Sequence, residues 1–316
     1  MIGIALIGCG VWGSAYLRTL NAMPEANLLY VCDQKRAVRE MVAAKFPHIK
    51  VTGSYHPLLN DSDVQAVIIA TPPHSHYEIA ADCLTNGKAV LVEKPTTTNM
   101  KDTEKLVRLA QENKQILMTG HLMEYHPAVE ILKNHISRGA FGDIKFLNFE
   151  RTNCSVYRKD VSVLWDLTVH DLTIMFYLLE SKPVWVSARG IKWNEDLPMG
   201  ILLVSCGFSD HTLVHIHNNW HYSQKIRRLN IVGTEMMAEF DDTRKPGPKL
   251  TFLRPNAGVQ NVAVPVEKPL QRQCAHFLNC VRRKKQPRSG GAGALRVIKM
   301  MEAIESSVLK KQIVYL

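Results

Sequence analysis

Three groups of residues in this chain have the types and spacing that chemistry needs. The first is Glu93-Lys94-Pro95, at the end of the apolar stretch that runs from Gly87 to Val92. Ligands of open α/β sheets gather outside the carboxyl ends of the strands, so a lysine there brings a positive charge and three donors to whatever the sheet binds. The proline stiffens the exit and stops the strand. The second group is Asp166 and His170, four apart in Trp165-Asp166-Leu167-Thr168-Val169-His170-Asp171-Leu172 and so on one face of a helix. An imidazole titrating near neutrality is a natural acceptor of a hydroxyl proton, and a carboxylate one turn away can orient it. Read structurally, the same pair contributes roughly 0.2–0.5 kcal/mol to a surface helix. The third group is Gly8-Cys9-Gly10-Val11-Trp12-Gly13, a GxGxxG loop. Its glycines permit a tight turn, close approach of a pyrophosphate to backbone N–H groups, and packing of helix on strand.

The elements around these groups give them their meaning. Ile2 to Ile7 reads as a buried strand, followed at once by the glycine loop and a helical pattern through Leu20. The next strand, Leu28 to Cys32, ends in Asp33, where a dinucleotide site places an acid to accept from the adenosine ribose hydroxyls. That carboxylate favours NAD over NADP, while Lys35 and Arg36 could accommodate a 2′-phosphate. Gln65 to Ala70 reads as a strand with a helix from Ser75 to Asn86, the Lys94 strand leads to a helix from Met100 to Asn113, and Gln115 to Gly120 is a final strand. Thr71-Pro72-Pro73 breaks the chain at the ligand edge. His74 and His76 stand in that break, and with no third ligand in the pattern no metal is expected.

After Gly120 the rhythm changes. His126-Pro127 opens a helix that runs to Arg138-Gly139. Alternating segments follow: Ile144 to Cys154, Val184 to Trp193, Ile201 to Ser209, Thr212 to Trp220, Ile226 to Val232 and Glu235 to Phe240. Period two puts His211, His215, His217, Asn219 and His221 on one face of a sheet and Val214, Ile216 and Trp220 on the other. The polar face suits water or a second subunit better than a metal. Helical patterns at Gln271 to Arg283 and Ala294 to Lys310 close the chain, either covering a sheet face or returning to the first domain. The expectation is α/β: an N-terminal Rossmann-type parallel sheet domain over residues 1–119, and a C-terminal α+β domain over 120–316 with a large, mostly antiparallel open sheet.

A chain of 316 residues exceeds what one core normally serves. No apolar stretch is long enough to span a bilayer, and the start flows directly into a glycine loop, so a cytoplasmic protein without membrane partners is expected. Seven scattered cysteines, none in a CxxC spacing, read as reduced thiols. Of the net charge of +10, nearly all lies beyond residue 119, where 27 Lys and Arg face 18 Asp and Glu. That surplus suits an anionic small-molecule substrate. The basic run Arg282, Arg283, Lys284, Lys285 and Arg288 has no aromatic interleaving, so nucleic acid is not expected as a partner. Arg151, Arg158, Arg227 and Arg228 are the arginines that could meet a diphosphate, Arg151 and Arg158 ahead of the others because they bracket the segment leading into WDLTVHD; Arg227 and Arg228, adjacent on a strand, must point to opposite faces, so at most one can share the pocket.

Taken together, GxGxxG, Asp33, ATPPHSH, VLVEKP and WDLTVHD, with a closing MMEAIESSVLKKQIVYL, resemble the Gfo/Idh/MocA oxidoreductases over essentially the full length. RTNCSVYRKDVSVLWDLTVHDL, GHLMEYHPAV and NNWHYSQKIRRLNIVGTEMMAEFDD resemble the branch that holds nucleotide-sugar 3-dehydrogenases of the UDP-N-acetylglucosamine type. The resemblance implies NAD-dependent hydride transfer from a secondary hydroxyl of a sugar ring, with Lys94, Asp166 and His170 as the catalytic group. Around the cofactor it implies Gly8, Gly10, Gly13, Asp33, Pro72, His76 and Glu93, to which Val11, Trp12, Arg36, Thr71 and Lys94 add themselves by position. His121, Arg151, Arg158 and Trp165 are the candidate substrate contacts. A free-sugar or inositol-like polyol dehydrogenase, or a dinucleotide-binding regulator that turns nothing over, are the alternatives. A homodimer or homotetramer through the C-terminal sheet is the expected assembly.

Overall fold

The computed structural model describes residues 1–154, 161–255 and 257–316. In chain order the elements are β1 (Ile2–Ile7), α1 (Val11–Asn21), β2 (Ala26–Cys32), α2 (Arg36–Lys45), β3 (Lys50–Thr52), α3 (His56–Leu59), β4 (Ala66–Ile69), α4 (His76–Thr85), β5 (Ala89–Val92), α5 (Met100–Glu112) and β6 (Leu117–Thr119). They continue with α6 (Pro127–Ser137), β7 (Ile144–Cys154), α7 (Val169–Leu179), β8 (Pro183–Lys192), β9 (Met199–Phe208), β10 (Leu213–Asn219), β11 (His221–Gly233), β12 (Met237–Asp241), β13 (Leu250–Arg254), β14 (Gly258–Val262), α8 (Pro269–Arg283), α9 (Gly291–Lys310) and β15 (Val314–Tyr315).

The chain forms two compact units, one of residues 1–125 and 267–298, the other of 126–266 and 299–316. This differs from the contiguous division at residue 119. The boundary falls after the short helical turn Leu122–Tyr125, and α8 rejoins the first unit because its buried stripe, Cys274, Phe277 and Leu278, packs into that unit's core.

The first unit holds a six-stranded parallel sheet in the order β3-β2-β1-β4-β5-β6. Its central strands are short apolar runs buried on both faces, as parallel strands covered by helices must be. Alternate residues feed two cores. Ile4, Leu6, Ile68 and Leu91 meet Tyr16, Leu17 and Leu20 of α1 and Phe277 of α8. Ala5, Ile7, Val67, Ile69, Val90 and Val92 meet Ile79, Ala80, Cys83 and Leu84 of α4 and Leu106 of α5. The strand order reverses beside β1, which makes the carboxyl ends of β1, β4 and β5 the place for a ligand.

The second unit holds a nine-stranded sheet, β14-β13-β12-β11-β7-β10-β9-β8-β15, in which only the β7/β10 pair is parallel. Strands β13, β14 and β15 extend it beyond the six segments legible in the alternation. β10 is one residue shorter at either end than its sequence pattern. His211 therefore lies in a turn at φ 65°, and His221 opens β11, leaving His215 and His217 as the imidazoles on β10 itself. Among the described residues no helix is long and apolar enough to cross a membrane. Among the described residues, Cys9, Cys32, Cys83, Cys206, Cys274 and Cys280 are free and buried.

Candidate active site

In the first unit the loop after β1 is shaped by what its glycines exclude. Gly8 sits at φ +87°, and a Cβ on it would come within 2.8 Å of the Ala70 carbonyl and the Thr71 nitrogen. A Cβ on Gly13 would lie 2.0 Å from the Gly8 carbonyl oxygen, so the loop and α1 can close on each other only without side chains. Gly10 differs: a Cβ there would meet nothing within 4 Å. Gly10 is also the N-cap of α1 and supplies no side-chain cap, so no side chain at the N-cap satisfies the N–H groups of the first turn. Val11 and Trp12 follow on the exposed side at 88% and 42%. This cradle fits a dinucleotide pyrophosphate.

Asp33 is fixed by the same loop. Its Oδ2 accepts from the Cys9 backbone N–H at 2.8 Å and its Oδ1 from the Lys35 N–H at 2.8 Å. Both oxygens keep lone pairs for ribose hydroxyls. Arg36 pairs with Glu40 at 2.7 Å in an exposed i, i+4 contact. The arginine that holds the Asp33 turn is Arg39, whose Nη1 donates to the carbonyls of Asp33 and Gln34 at 2.8 Å each. Nothing in the sequence spacing singled Arg39 out.

At the end of β4, the Ser75 hydroxyl donates to Thr71 Oγ1 at 2.8 Å and lies 2.9 Å from the Pro72 carbonyl. His76 is wholly buried, with Nδ1 2.8 Å from the Pro95 carbonyl and Nε2 2.9 Å from the Thr71 carbonyl. It ties the end of β4 to the turn after β5. Burial holds its pKa below the usual imidazole value, against the two carbonyls that favour the protonated ring. Among the described residues no group of three or more His, Cys, Asp and Glu could hold a metal ion.

Glu93 and Lys94 leave β5 together. Glu93 is 8% exposed; its Oε1 accepts from the Tyr16 hydroxyl at 2.7 Å and its Oε2 from the Lys94 backbone N–H at 3.1 Å. Burial raises its pKa above the usual carboxylate value, opposed by the Tyr16 hydrogen bond and the Lys94 charge. Gly120 makes room for it, since a Cβ there would stand 3.1 Å from Glu93 Oε1. Beside them His121 is buried, with Nδ1 3.1 Å from Glu124 Oε1.

The second unit carries the other half of the candidate chemistry. Leu164–Thr168 is a π-helical turn that runs directly into α7. The sequence pattern reads there as plain helix, and π-turns interrupt helices mostly at functional positions. Asp166 and His170 are half-buried on this segment. Trp165 is oriented by its indole N–H, which donates to Glu305 Oε1 at 2.7 Å.

Behind them lies a buried polar chain. Arg151 Nε and Nη2 each sit 2.9 Å from Asp171 Oδ1, Asn218 Nδ2 donates to Asp171 Oδ2 at 2.7 Å, and Thr168 Oγ1 donates to Asn218 Oδ1 at 2.5 Å. Arg151 and Asn218 are register partners on β7 and β10, so the sheet presents them side by side to the helix. Arg151 thus holds the segment that bears Asp166 and His170. Arg227 is its register partner on β11, 44% exposed at the side chain and 3.8 Å from Asp242. Burial and the charge of Arg151 lower its pKa. Arg228 points to the other face, toward Glu150, Glu239 and Asp241. Arg158 lies outside the described residues. Lys94 belongs to the first unit, and Asp166 and His170 to the second.

Comparison with known proteins gives this geometry its relatives. An oxidoreductase family model with an NAD-binding Rossmann fold matches residues 2–121, and the GFO/IDH/MocA C-terminal domain matches residues 129–239. The UDP-N-acetylglucosamine 3-dehydrogenase of Acidithiobacillus ferrooxidans is 32% identical over 186 residues, 58% of this chain and 57% of that protein. The inositol 2-dehydrogenase of Salmonella typhimurium is 28% identical over 179 residues, 55% of this chain and 53% of that one. These alignments therefore span little more than half the length of the curated relatives. A crystal structure of the Acidithiobacillus ferrooxidans UDP-N-acetylglucosamine 3-dehydrogenase superposes with a TM-score of 0.88 at 25% identity, covering 98% of both chains. With a dinucleotide cradle in the first unit, an open sheet in the second and both domain models matched, the chain belongs to the Gfo/Idh/MocA oxidoreductase family.

Proposed function

We propose that this chain is an NAD-dependent dehydrogenase of a secondary ring hydroxyl, and that its substrate is a nucleotide sugar of the UDP-N-acetylglucosamine type oxidised at C3. The observation that carries the reading is the glycine cradle whose Cys9 N–H binds the Asp33 carboxylate, in a unit that also delivers Lys94 at the end of its sheet. NAD, when bound, supplies the acceptor for the hydride. His170 takes the hydroxyl proton as the carbon–hydrogen bond breaks. Lys94 donates to the reacting oxygen and stabilises negative charge developing there. Asp166 holds neighbouring hydroxyls and keeps His170 oriented. Asp33 sets NAD above NADP, because its carboxylate repels a 2′-phosphate.

Support for the diphosphate comes from Arg227, exposed on the face that also bears Arg151, and from the basic surplus of the second half. The similarity to inositol 2-dehydrogenases supports a second reading, a polyol dehydrogenase with the same three residues. Incubation with NAD and a panel of nucleotide sugars, free sugars and inositols, followed by the absorbance of reduced nicotinamide, separates the two. Turnover confined to inositols overturns the nucleotide-sugar assignment, and no turnover with any compound favours a regulator.

The open face of the second sheet is proposed to meet a second copy of the chain. Val259, Leu253, Met237, Val232, Phe146 and Leu213 are successive register partners, forming one apolar row across six strands. Leu213 is 49% exposed and Val259 69%. Beside that row Arg228 lies among Glu150, Glu239 and Asp241, so each copy offers both signs of charge to its mate. The buried thiols suit a reducing compartment, and the cytoplasm is the proposed location.

A further inference from the structure

Glu93 poses a physical problem that Lys94 alone does not solve. A carboxylate this deeply buried tends to take up a proton, and a protonated acid would present a donor to a bound dinucleotide instead of an acceptor. Two side chains far apart in sequence bear on it. The Tyr16 hydroxyl of α1 lies 2.7 Å from Glu93 Oε1 and 3.1 Å from the side-chain amide of Gln273 on α8. Tyr16 has one proton to give. It gives it to the carboxylate, so the amide must face the phenol oxygen as a donor. The Gln273 Nε2 group is buried and without a hydrogen-bond partner when the amide oxygen faces Tyr16, and turning the amide over gives it the phenol oxygen as acceptor and frees the Tyr16 proton for Glu93. The result is a one-way chain, Gln273 N–H to Tyr16 O–H to Glu93, in which each bond polarises the next.

We infer that Tyr16 and Gln273 are positioning residues that keep Glu93 ionised and pointed at the dinucleotide site, an inference that rests on the dehydrogenase reading proposed above. Every group facing Glu93 agrees with that assignment. On α1, Tyr16 is wholly buried and burial raises its pKa well above the usual phenol value, so it stays a donor. On α8, burial likewise raises the Cys274 thiol, which stays neutral. The Lys94 charge favours the carboxylate form, and so does His121, which Glu124 holds at 3.1 Å. Gly120 adds no polar side chain and leaves the space that the carboxyl group fills. α8 thereby acquires a chemical purpose as well as a packing one.

The test is a carbon-13 NMR titration of the Glu93 carboxyl in the dinucleotide-free protein, for wild type, Tyr16→Phe and Gln273→Met, each checked for a wild-type circular dichroism spectrum. Tyr16→Phe should move the titration upward by about one pH unit and Gln273→Met by a smaller step in the same direction. NAD affinity, followed by quenching of protein fluorescence, should weaken on acidification at correspondingly higher pH in both variants, while at alkaline pH all three proteins bind within about threefold. An unmoved Glu93 titration overturns the donor chain. A moved titration with affinity lowered by one constant factor at every pH overturns the positioning role, because that is the signature of a packing defect. Wild-type protein that binds no NAD at any pH overturns the dehydrogenase reading and the positioning role together, while the NMR titration still decides the donor chain.

Discussion

At the level of single residues, Lys94 and Asp33 answer to different parts of the proposed chemistry and should fail differently. Lys94→Ala removes stabilisation of charge that develops only as the hydroxyl proton leaves, so kcat should fall roughly 10²- to 10³-fold while NAD affinity stays near wild type. Steady-state kinetics beside a fluorescence titration checks both halves; near-normal kcat would take Lys94 out of the reaction. Asp33→Ser removes the carboxylate that accepts from the Cys9 and Lys35 N–H groups. The preference for NAD over NADP should narrow, measured as the ratio of kcat/KM values, and a wild-type protein that already prefers NADP would contradict the role given to Asp33. Much of this was legible from the sequence because glycine, lysine and aspartate at strand ends are local signals. Arg39, Tyr16 and Gln273 were not, since their meaning lies in partners. Arg39 reaches backbone carbonyls, which no side-chain pattern encodes, and Gln273 stands 257 residues from the tyrosine it meets.

Elements explain why two arginines that look alike in sequence should behave differently. The β7/β10/β11 register puts Arg151 and Arg227 side by side, but Arg151 spends Nε and Nη2 on the buried Asp171. Arg151→Ala should therefore lower stability by roughly 3–5 kcal/mol, the cost of stranding a buried charge, measured by urea denaturation. A fall below about 1 kcal/mol would show that the pair is not closed in solution. Arg227→Ala, by contrast, should leave stability nearly unchanged and raise KM for a nucleotide sugar about tenfold or more, with little change for a bare sugar. Equal effects on both substrates would remove Arg227 from diphosphate recognition. Five strands of the first sheet and six of the second could be read from their apolar runs and alternation, whereas β3, β13, β14, β15 and the π-helical turn at Leu164–Thr168 could not. Its sequence has ordinary helical spacing, and what accompanies the extra residue per turn is the Thr168 to Asn218 bond, made across fifty positions of chain.

For the molecule as a whole, the two units differ in which part of the sequence announced them. The first unit declared its parallel, Rossmann-type sheet through motifs, but its return segment, residues 267–298, was ambiguous because an amphipathic helix shows that it covers a core and not whose core. The second unit's outer face should bring two copies together. Leu213→Glu, a charge set into the apolar row, should shift sedimentation at micromolar concentration from an oligomer to a monomer; a wild-type monomer would refute the assembly. The central claim concerns the hydride, and a substrate deuterated at the carbon that bears the reacting hydroxyl follows it directly. With UDP-N-acetylglucosamine carrying deuterium at C3, mass spectrometry should find one deuterium in the reduced nicotinamide and a keto sugar that has lost it. Reduced nicotinamide without the label, or no reduction with this or any other ring alcohol, would contradict the account.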